Sequence, residues 1–297
     1  RSKKGERMIR LFASDMDGTI LQDHSTIHPD NVKMVHYLQE KKIPFVICSG
    51  RDFYQASLCL EPANIQCPVI GLNGAVIYKE DGTILKEVTL SHEDTRKLIQ
   101  KIEKHHNNWD MMTSKGLFSL HFAEKFAKRV ATFKESHPDL TPEQFEAELE
   151  KLRKLFDATD VSSIEEVLKD PTIKIYKVLT SNYESTDSLM EIKSYVEQEL
   201  PNLVVTSSFK TNIEVTHKDA QKGIALQYYA DTLGISMDEV FAIGDNSNDV
   251  SMLKLAGYSV AMGNANQEAM NTAKFQTDDN KHGGVAKAIQ KCLDQQN

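Results

Sequence analysis

The chain has 297 residues, a formal net charge of −8 and a hydrophobic content of 40%. This length accommodates two domains, and the composition is that of a globular protein. The acidic balance argues against a general nucleic-acid binder, and no apolar run is long enough to cross a membrane. We therefore expect neither nucleic acid nor a membrane among its partners.

The N-terminus and the cysteines bear on the compartment. Residues 1–7 lack the apolar stretch of a secretory signal, so we treat them as a leader or vector-derived segment outside the fold. The cysteines lack the spacing of a redox pair or, with histidine, of a zinc site. This predicts reduced thiols and a cytoplasmic protein.

Two aspartates follow the first predicted strand. Apolar residues within 9–12 lead to Asp15 and Asp17, and Gly18-Thr19 then turns the chain. Open α/β sheets bind ligands at the carboxyl ends of their strands, and side chains two apart on a strand face the same way. The two carboxylates therefore repel each other unless a cation lies between them. For this stretch alone, an ordinary Asp-Gly turn is an equally good explanation.

The next elements alternate between helix and strand. Apolar spacing predicts a helix over 31–41, and 44–48 is a short apolar strand that ends at Ser49-Gly50. A strand, a helix and a strand in succession form a parallel crossover, which puts Ser49 at the same sheet edge as Asp15. The first part of the chain is completed by a predicted helix over 53–60, a strand and turn over 67–74, and a hairpin around Asp81-Gly82.

The pattern changes near Leu90. Residues 172–180 alternate between apolar and polar, which is typical of a half-exposed antiparallel strand. We predict that 86–216 is an inserted α+β domain with an antiparallel sheet. Its other predicted elements are helices over 91–105, 124–135, 141–156 and 185–200, a short helix from 162, and strands within 109–122, 202–207 and 212–216.

The first pattern returns from residue 217. Lys222 opens a helix that stops at Gly234, and a buried strand over 240–243 ends in the polar loop Gly244-Asp-Asn-Ser-Asn-Asp249. Further helices are predicted over 250–256, 268–273 and 284–294, with strands over 258–262 and 275–277. Residues 8–85 and 217–297 together predict an α/β fold, a Rossmann-like three-layer core with a parallel sheet.

Polar residues occupy four equivalent positions, each after a predicted parallel strand or at the start of a helix. They are Asp15 with Asp17, Ser49-Gly50, Lys222, and Asp245 through Asp249. Taken singly, each has a structural explanation as a turn, a surface lysine or a helix cap. However, the charge of a lysine at a helix N-terminus opposes the helix dipole, so this placement is unfavourable by itself. An anion bound beside Lys222 would explain it. Because such loops converge in space, we interpret them together as one site.

The combination suits phosphoryl transfer. Asp15 and Asp245 can jointly hold Mg²⁺, which prefers oxygen ligands. A carboxylate can act as nucleophile and form an aspartyl-phosphate, and Asp17 can serve as general acid and base. The transferring oxygens can be bound by Ser49 with a neighbouring backbone N–H, Lys222 and Asn248.

In order and setting, these motifs resemble the four motifs of the haloacid dehalogenase superfamily. The matching residues are Asp15-Met-Asp-Gly-Thr19, Ser49, Lys222 and Gly244 through Asp249. Ser49-Gly-Arg51, Asn73-Gly-Ala75 and Lys222-Gly223 are similar to the Cof-type sugar-phosphate phosphatases. The insert resembles their type IIB cap domain, and the resemblance runs from Met8 to the C-terminus.

The resemblance implies a role for each matching residue. Asp15 would be the nucleophile and a metal ligand, and Asp17 would be the acid/base and bind metal through its backbone carbonyl. The other implied metal ligands are Asp245 and Asn246, and the implied phosphate contacts are Met16 (backbone), Ser49, Gly50, Lys222 and Asn248. Asp249 would orient Lys222, and Arg51 and Asn73 are candidate substrate contacts.

The leading hypothesis is a Mg²⁺-dependent phosphomonoester hydrolase of small phosphorylated metabolites such as sugar phosphates. It would work through an aspartyl-phosphate, as a monomer or small homo-oligomer. Two alternatives stay open: a phosphomutase on the same scaffold, and a receiver-like module that holds phosphate without turnover. The inserted domain argues against the receiver, which needs no such addition.

Overall fold

The computed structural model describes residues 8–296 and divides into two compact units. Of the described residues, the first unit contains 8–88, Thr206–Lys210 and 216–296; the second contains Thr89–Val205 and Thr211–Val215. The predicted boundaries, at 85/86 and 216/217, lie close to these. Thr206–Lys210 lie within the predicted insert, but in the structure they group with the first unit. The leader predicted at 1–7 lies outside the described residues.

Strands and helices account for most of both units. In chain order the strands are β1 (Leu11–Ser14), β2 (Phe45–Cys48), β3 (Val69–Gly71), β4 (Val76–Tyr78), β5 (Ile84–Glu87), β6 (Trp109–Thr113), β7 (Gly116–Leu120), β8 (Ala158–Val161), β9 (Ile175–Ser181), β10 (Leu203–Thr206), β11 (Asn212–His217), β12 (Val240–Gly244), β13 (Tyr258–Ala261) and β14 (Phe275–Gln276). The helices are α1 (Pro29–Glu40), α2 (Phe53–Leu60), α3 (His92–Lys104), α4 (Phe122–Ser136), α5 (Pro142–Leu155), α6 (Ile164–Leu168), α7 (Asp187–Glu199), α8 (Lys222–Thr232), α9 (Val250–Leu255), α10 (Gln267–Thr272) and α11 (Gly284–Gln296).

The first unit is built on an eight-stranded sheet with the order β14-β13-β12-β1-β2-β3-β4-β5. The six strands from β14 to β3 run parallel, and β4 and β5 add antiparallel strands at one edge. Phe12 and Ile47 pack with α1, α2 and α11, whereas Leu11 and Val46 pack with α8 and α9. Strands covered on both faces are rich in apolar residues, and every residue of β1 and β2 is buried. The predicted three-layer α/β core is confirmed.

The second unit is an α+β domain with a six-stranded sheet in the order β10-β11-β9-β6-β7-β8. Its core joins Trp109 and Met111 of β6 to the apolar faces of α3 and α7. The strand pairs β9–β11, β6–β9 and β6–β7 are antiparallel, as predicted. β8 was not predicted, and it pairs parallel with β7. Its sequence, Ala-Thr-Asp-Val, is too short and too polar to signal a strand by alternation.

Two further observations concern the whole described chain. Within residues 8–296, every helix is too short or too polar to span a lipid bilayer. All four cysteines are buried free thiols, in agreement with the reduced state predicted from their spacing.

Candidate active site

The chain turns sharply after β1, and Gly18 is essential to that turn. Its φ is +74°, in the left-handed region that favours glycine. A Cβ at this position would lie 2.4 Å from Oδ2 of Asp245. The missing side chain therefore lets the turn after β1 approach the loop after β12.

Lys222 lies at the start of α8 and contacts two carboxylates in the protein interior. Its Nζ donates to Asp15 Oδ1 at 2.8 Å and to Asp249 Oδ1 at 2.7 Å, and its side chain is 0% exposed. Burial by itself favours the neutral amine, but the charges of Asp15 and Asp249 outweigh it and raise the pKa of Lys222. Lys222 is therefore a permanent cation beside Asp15.

Asp249 shapes the loop that follows β12. While one of its oxygens accepts from Lys222, Oδ2 accepts from the backbone N–H of Asp245 at 2.9 Å and of Asn246 at 3.1 Å. Both oxygens are thus committed to the protein. This geometry supports the role of Asp249 in orienting Lys222.

The carboxylates form a cluster whose chemistry fits a hard divalent cation. Oxygens of Asp15, Asp245 and Asp249 lie within 4.8 Å of one another. Burial first, and then the charge of Asp249, raise the pKa of Asp15 well above its usual range and that of Asp245 to about 6. Three carboxylates face one ammonium group, and a Mg²⁺ ion bound by oxygen ligands would offset the excess negative charge.

Thr19 links two of these carboxylates. Its hydroxyl oxygen lies 2.9 Å from Asp245 Oδ1 and 3.3 Å from Asp15 Oδ2. From the sequence, Thr19 was expected only to help turn the chain after the first strand. Its hydroxyl nevertheless helps to fix the spacing of the two side chains that we expect to bind metal.

Asp17 has different partners from Asp15. Arg51 holds it in a two-pronged ion pair, with Nε 2.8 Å from Asp17 Oδ2 and Nη2 2.7 Å from Asp17 Oδ1. The predicted common orientation of Asp15 and Asp17 assumed a continuing strand, but β1 ends at Ser14. Strand alternation therefore does not extend to Asp17.

The loops after β2 and β3 supply the next predicted residues. Ser49 is 1% exposed; its N–H donates to Ile70 O at 2.8 Å, and its hydroxyl accepts from the N–H of Arg51 at 3.1 Å. Asn248 Nδ2 donates to Asn73 Oδ1 at 3.2 Å. Asn73 is only 2% exposed, so its side chain supports Asn248 from inside the site.

Asn246 joins three segments of the first unit. Its Nδ2 donates to Ser208 O, and its Oδ1 accepts from the N–H of Ser247 at 2.8 Å and from Asn266 Nδ2 at 2.9 Å. The contact with Ser208 helps to explain why Thr206–Lys210 group with this unit. The implied role of Asn246 as a metal ligand stays a prediction, since it requires one of these hydrogen bonds to be exchanged.

Sequence reasoning missed two asparagines in the loop after β13. Asn264 Nδ2 donates to Gly18 O at 2.9 Å, and the N–H of Asn266 donates to Asp245 O at 2.8 Å. Both brace the turns that carry the aspartates. The available signal was their position in a Gly-Asn-Ala-Asn loop after a parallel strand, where the other site residues also lie.

The chain resembles known proteins over nearly its whole length. A family profile described as haloacid dehalogenase-like hydrolase matches residues 12–289. Over 289 residues the chain is 28% identical to phosphatase YwpJ of Bacillus subtilis, covering 96% of this chain and 100% of that protein. Over 287 residues it is 28% identical to the 5-amino-6-(5-phospho-D-ribitylamino)uracil phosphatase YwtE of the same species, covering 96% and 98%.

The fold is also similar to a solved structure of a haloacid dehalogenase-like hydrolase from B. subtilis. The TM-score is 0.81 at 27% sequence identity, covering 95% of this chain and 99% of that one. The chain belongs to the haloacid dehalogenase-like hydrolases. The resemblance to the Cof type and the predicted enzyme class, a phosphatase of this family, are confirmed.

Proposed function

We propose that this protein is a Mg²⁺-dependent phosphomonoester hydrolase that transfers a phosphoryl group first to Asp15 and then to water. The observation that carries the proposal is the position of the Asp15 carboxylate. It is buried at the end of β1, paired with Lys222 and next to the carboxylate of Asp245. A buried carboxylate beside a fixed cation and a second metal-binding carboxylate is suited to nucleophilic attack on a phosphate.

Asp15 and Asp245 would hold the Mg²⁺ ion, with the backbone carbonyl of Asp17 as the further ligand that the family implies. Asp249 is less suited, because both its oxygens already accept hydrogen bonds. When bound, the ion supplies positive charge that offsets the repulsion between the site carboxylates and the phosphate dianion.

The chain's own residues account for the two half-reactions. An oxygen of Asp15 attacks phosphorus as the bond to the leaving oxygen breaks, and Asp17 gives that oxygen a proton. In the second half-reaction Asp17 takes a proton from water, which attacks phosphorus and releases inorganic phosphate and the Asp15 carboxylate. Lys222 remains charged throughout and favours ionised Asp15 through their contact.

The transferring oxygens need donors, and the loops around Asp15 supply them. We assign them to Ser49, to the backbone N–H groups of Met16 and Gly50, and to Lys222 and Asn248. Such preorganised donors stabilise charge that develops during transfer.

For the substrate, we propose a small phosphorylated metabolite with a sugar-derived chain. The support is the name of one relative, YwtE, which describes a phosphatase of a phosphoribityl compound. A cytoplasmic location and a monomeric or small homo-oligomeric state belong to the same proposal.

The test is phosphate release from p-nitrophenyl phosphate with Mg²⁺, comparing the wild-type protein with Asp15→Asn. We expect turnover in the wild type and a folded, inactive variant; full activity in the variant would overturn the proposal. Reaction in ¹⁸O-labelled water should place label in the released phosphate. A phosphomutase would instead return phosphate to a substrate hydroxyl, and a receiver would accumulate a stable phosphoprotein.

A further inference from the structure

The side chain of Arg51 is committed to Asp17. Nε and Nη2 of the guanidinium each contact a different oxygen of the Asp17 carboxylate, at 2.8 Å and 2.7 Å. The Arg51 side chain is 16% exposed, whereas that of Asp17 is 37% exposed. A planar fork that meets both oxygens fixes the rotation of a carboxylate, which a single point charge cannot do.

Arg51 is itself held from two further sides. Nη2 donates to the carbonyl of His24 at 2.8 Å, and Nη1 donates to Cys59 Sγ at 3.2 Å. Cys59 lies on α2 and is 3% exposed, and burial raises the pKa of its thiol. The neutral sulfur is therefore an acceptor within the fold, and the guanidinium is anchored to both a helix and a loop.

The donor count argues against Arg51 as a phosphate ligand. A guanidinium has five N–H donors. The four contacts named above use four of these donors: one on Nε, one on Nη1 and both on Nη2. One donor on Nη1 is left, so a two-pronged contact with a substrate phosphate would require Arg51 to give up at least one of these four contacts.

We propose that Arg51 is a positioning residue that holds the Asp17 carboxylate in the orientation required for proton transfer. Cys59 and the His24 carbonyl in turn hold Arg51 in place. Each carboxylate oxygen has two lone pairs, and the fork takes one from each. The remaining lone pairs keep a fixed direction, in which Asp17 can exchange a proton with the leaving oxygen or with water. The inference rests on the proposed function, because it assumes that Asp17 is the acid and base.

The experiment compares two phosphomonoesters that differ in their need for an acid. The leaving group of p-nitrophenyl phosphate departs as a stable anion, whereas the alkoxide of glycerol phosphate requires a proton. We expect Arg51→Gln to lower kcat/KM on glycerol phosphate by about 10²-fold, since misplaced acid–base groups cost that much, and to have a much smaller effect on kcat/KM for p-nitrophenyl phosphate. This ratio reports the first half-reaction alone, so the role of Asp17 as base toward water, which is common to both substrates, does not enter it.

A double variant tests whether Arg51 acts through Asp17. Asp17→Asn should show the same dependence on the leaving group, and Asp17→Asn/Arg51→Gln should be no slower than Asp17→Asn alone. Cys59→Ala should show a weaker form of the Arg51→Gln effect. A crystal structure of Arg51→Gln should show more than one rotamer of Asp17, which is a readout independent of activity.

Arg96→Gln is the matched control. Arg96 forms a comparable two-pronged pair with Glu165 through Nε and Nη2, at 3.0 Å and 3.3 Å, on the exposed surface of the second unit. Its loss should leave both rates unchanged. An increase in KM on both substrates, or losses that multiply in the double variant, would overturn the inference and make Arg51 a substrate contact.

The outcomes separate this inference from the proposed function. If Asp17→Asn depends on the leaving group and Arg51→Gln does not, the inference fails alone. If Asp17→Asn shows no such dependence, the acid–base role of Asp17 fails, and the inference fails with it.

Discussion

Lys222 and Asp15 are 207 positions apart in the chain, yet Lys222 Nζ donates to Asp15 Oδ1 at 2.8 Å in the protein interior. The pair joins the start of α8 to the end of β1. Because the Lys222 side chain is fully buried, water cannot take the place of the carboxylates in stabilising its charge. We therefore expect activity and stability to depend on the same contact.

Lys222→Met should abolish activity and destabilise the metal-free protein. Removing one partner of a buried ion pair costs about 3–5 kcal/mol, since the other charge stays buried without compensation. Urea unfolding in the presence of a chelator measures the loss. Lys222→Met/Asp249→Asn removes one charge of each sign and should recover part of the stability but none of the activity. A single variant as stable as the wild type would contradict this description of the pair.

Gly18→Ala should damage the site as well as the turn. The added Cβ would meet Asp245 Oδ2 at 2.4 Å, and the positive φ adds backbone strain of about 1–2 kcal/mol. We expect a fall in kcat/KM of about 10²-fold, the cost of displacing a group that must align with the substrate. Gly234→Ala is the control, because Gly234 has a φ of +66° and no atom within 4 Å of the added Cβ. It should lose stability and keep its activity; equal activity losses in the two variants would exclude a specific role for the Gly18–Asp245 approach.

Stabilisation by Mg²⁺ should grow with pH. Burial and then the charge of Asp249 raise the pKa of Asp245 from an ordinary 3.8 to about 6. In the metal-free protein, folding therefore retains a proton on Asp245, and this contribution to stability is full below about pH 3.8 and is lost as the pH rises through about 6. On the proposed function Mg²⁺ would bind the ionised carboxylates and would therefore compete with that proton.

The measurement is the increase in Tm on adding Mg²⁺, at about pH 5 and again at about pH 7.5, on either side of the Asp245 pKa of about 6. The increase should be larger at the higher pH and should be strongly reduced in Asp245→Asn. An equal increase at both values would show that these carboxylates do not bind the ion.

The broad layout of the site follows from sequence alone. Parallel strands end at one edge of a sheet, so loops that begin at Asp15, Ser49 and Asp245 converge whatever their details. Lys222 was recognisable because a cation at a helix N-terminus is unfavourable without an anion nearby. These predictions depend on where helices and strands begin and end, and the spacing of apolar residues over short stretches of sequence indicates that.

The pairing of Asp17 with Arg51 could not be predicted in the same way. It depends on where β1 ends and on how a long side chain folds back over a turn, and neither is encoded in apolar spacing. Arg51 and Asn73 were both candidate substrate contacts from the sequence, and in the structure both side chains have partners within the first unit. The parallel strand β8 was missed because its pairing with β7 is set by packing rather than by alternation.

The central claim is that Asp15 accepts the phosphoryl group, and chemical trapping tests it most directly. Enzyme quenched in acid during turnover and treated with borohydride should have its acyl phosphate reduced to an alcohol, which converts the aspartate to homoserine. Peptide mass spectrometry should find homoserine at position 15, only when substrate and Mg²⁺ are both present. Homoserine at position 17 or 245, or none at all during sustained phosphate release, would contradict the claim.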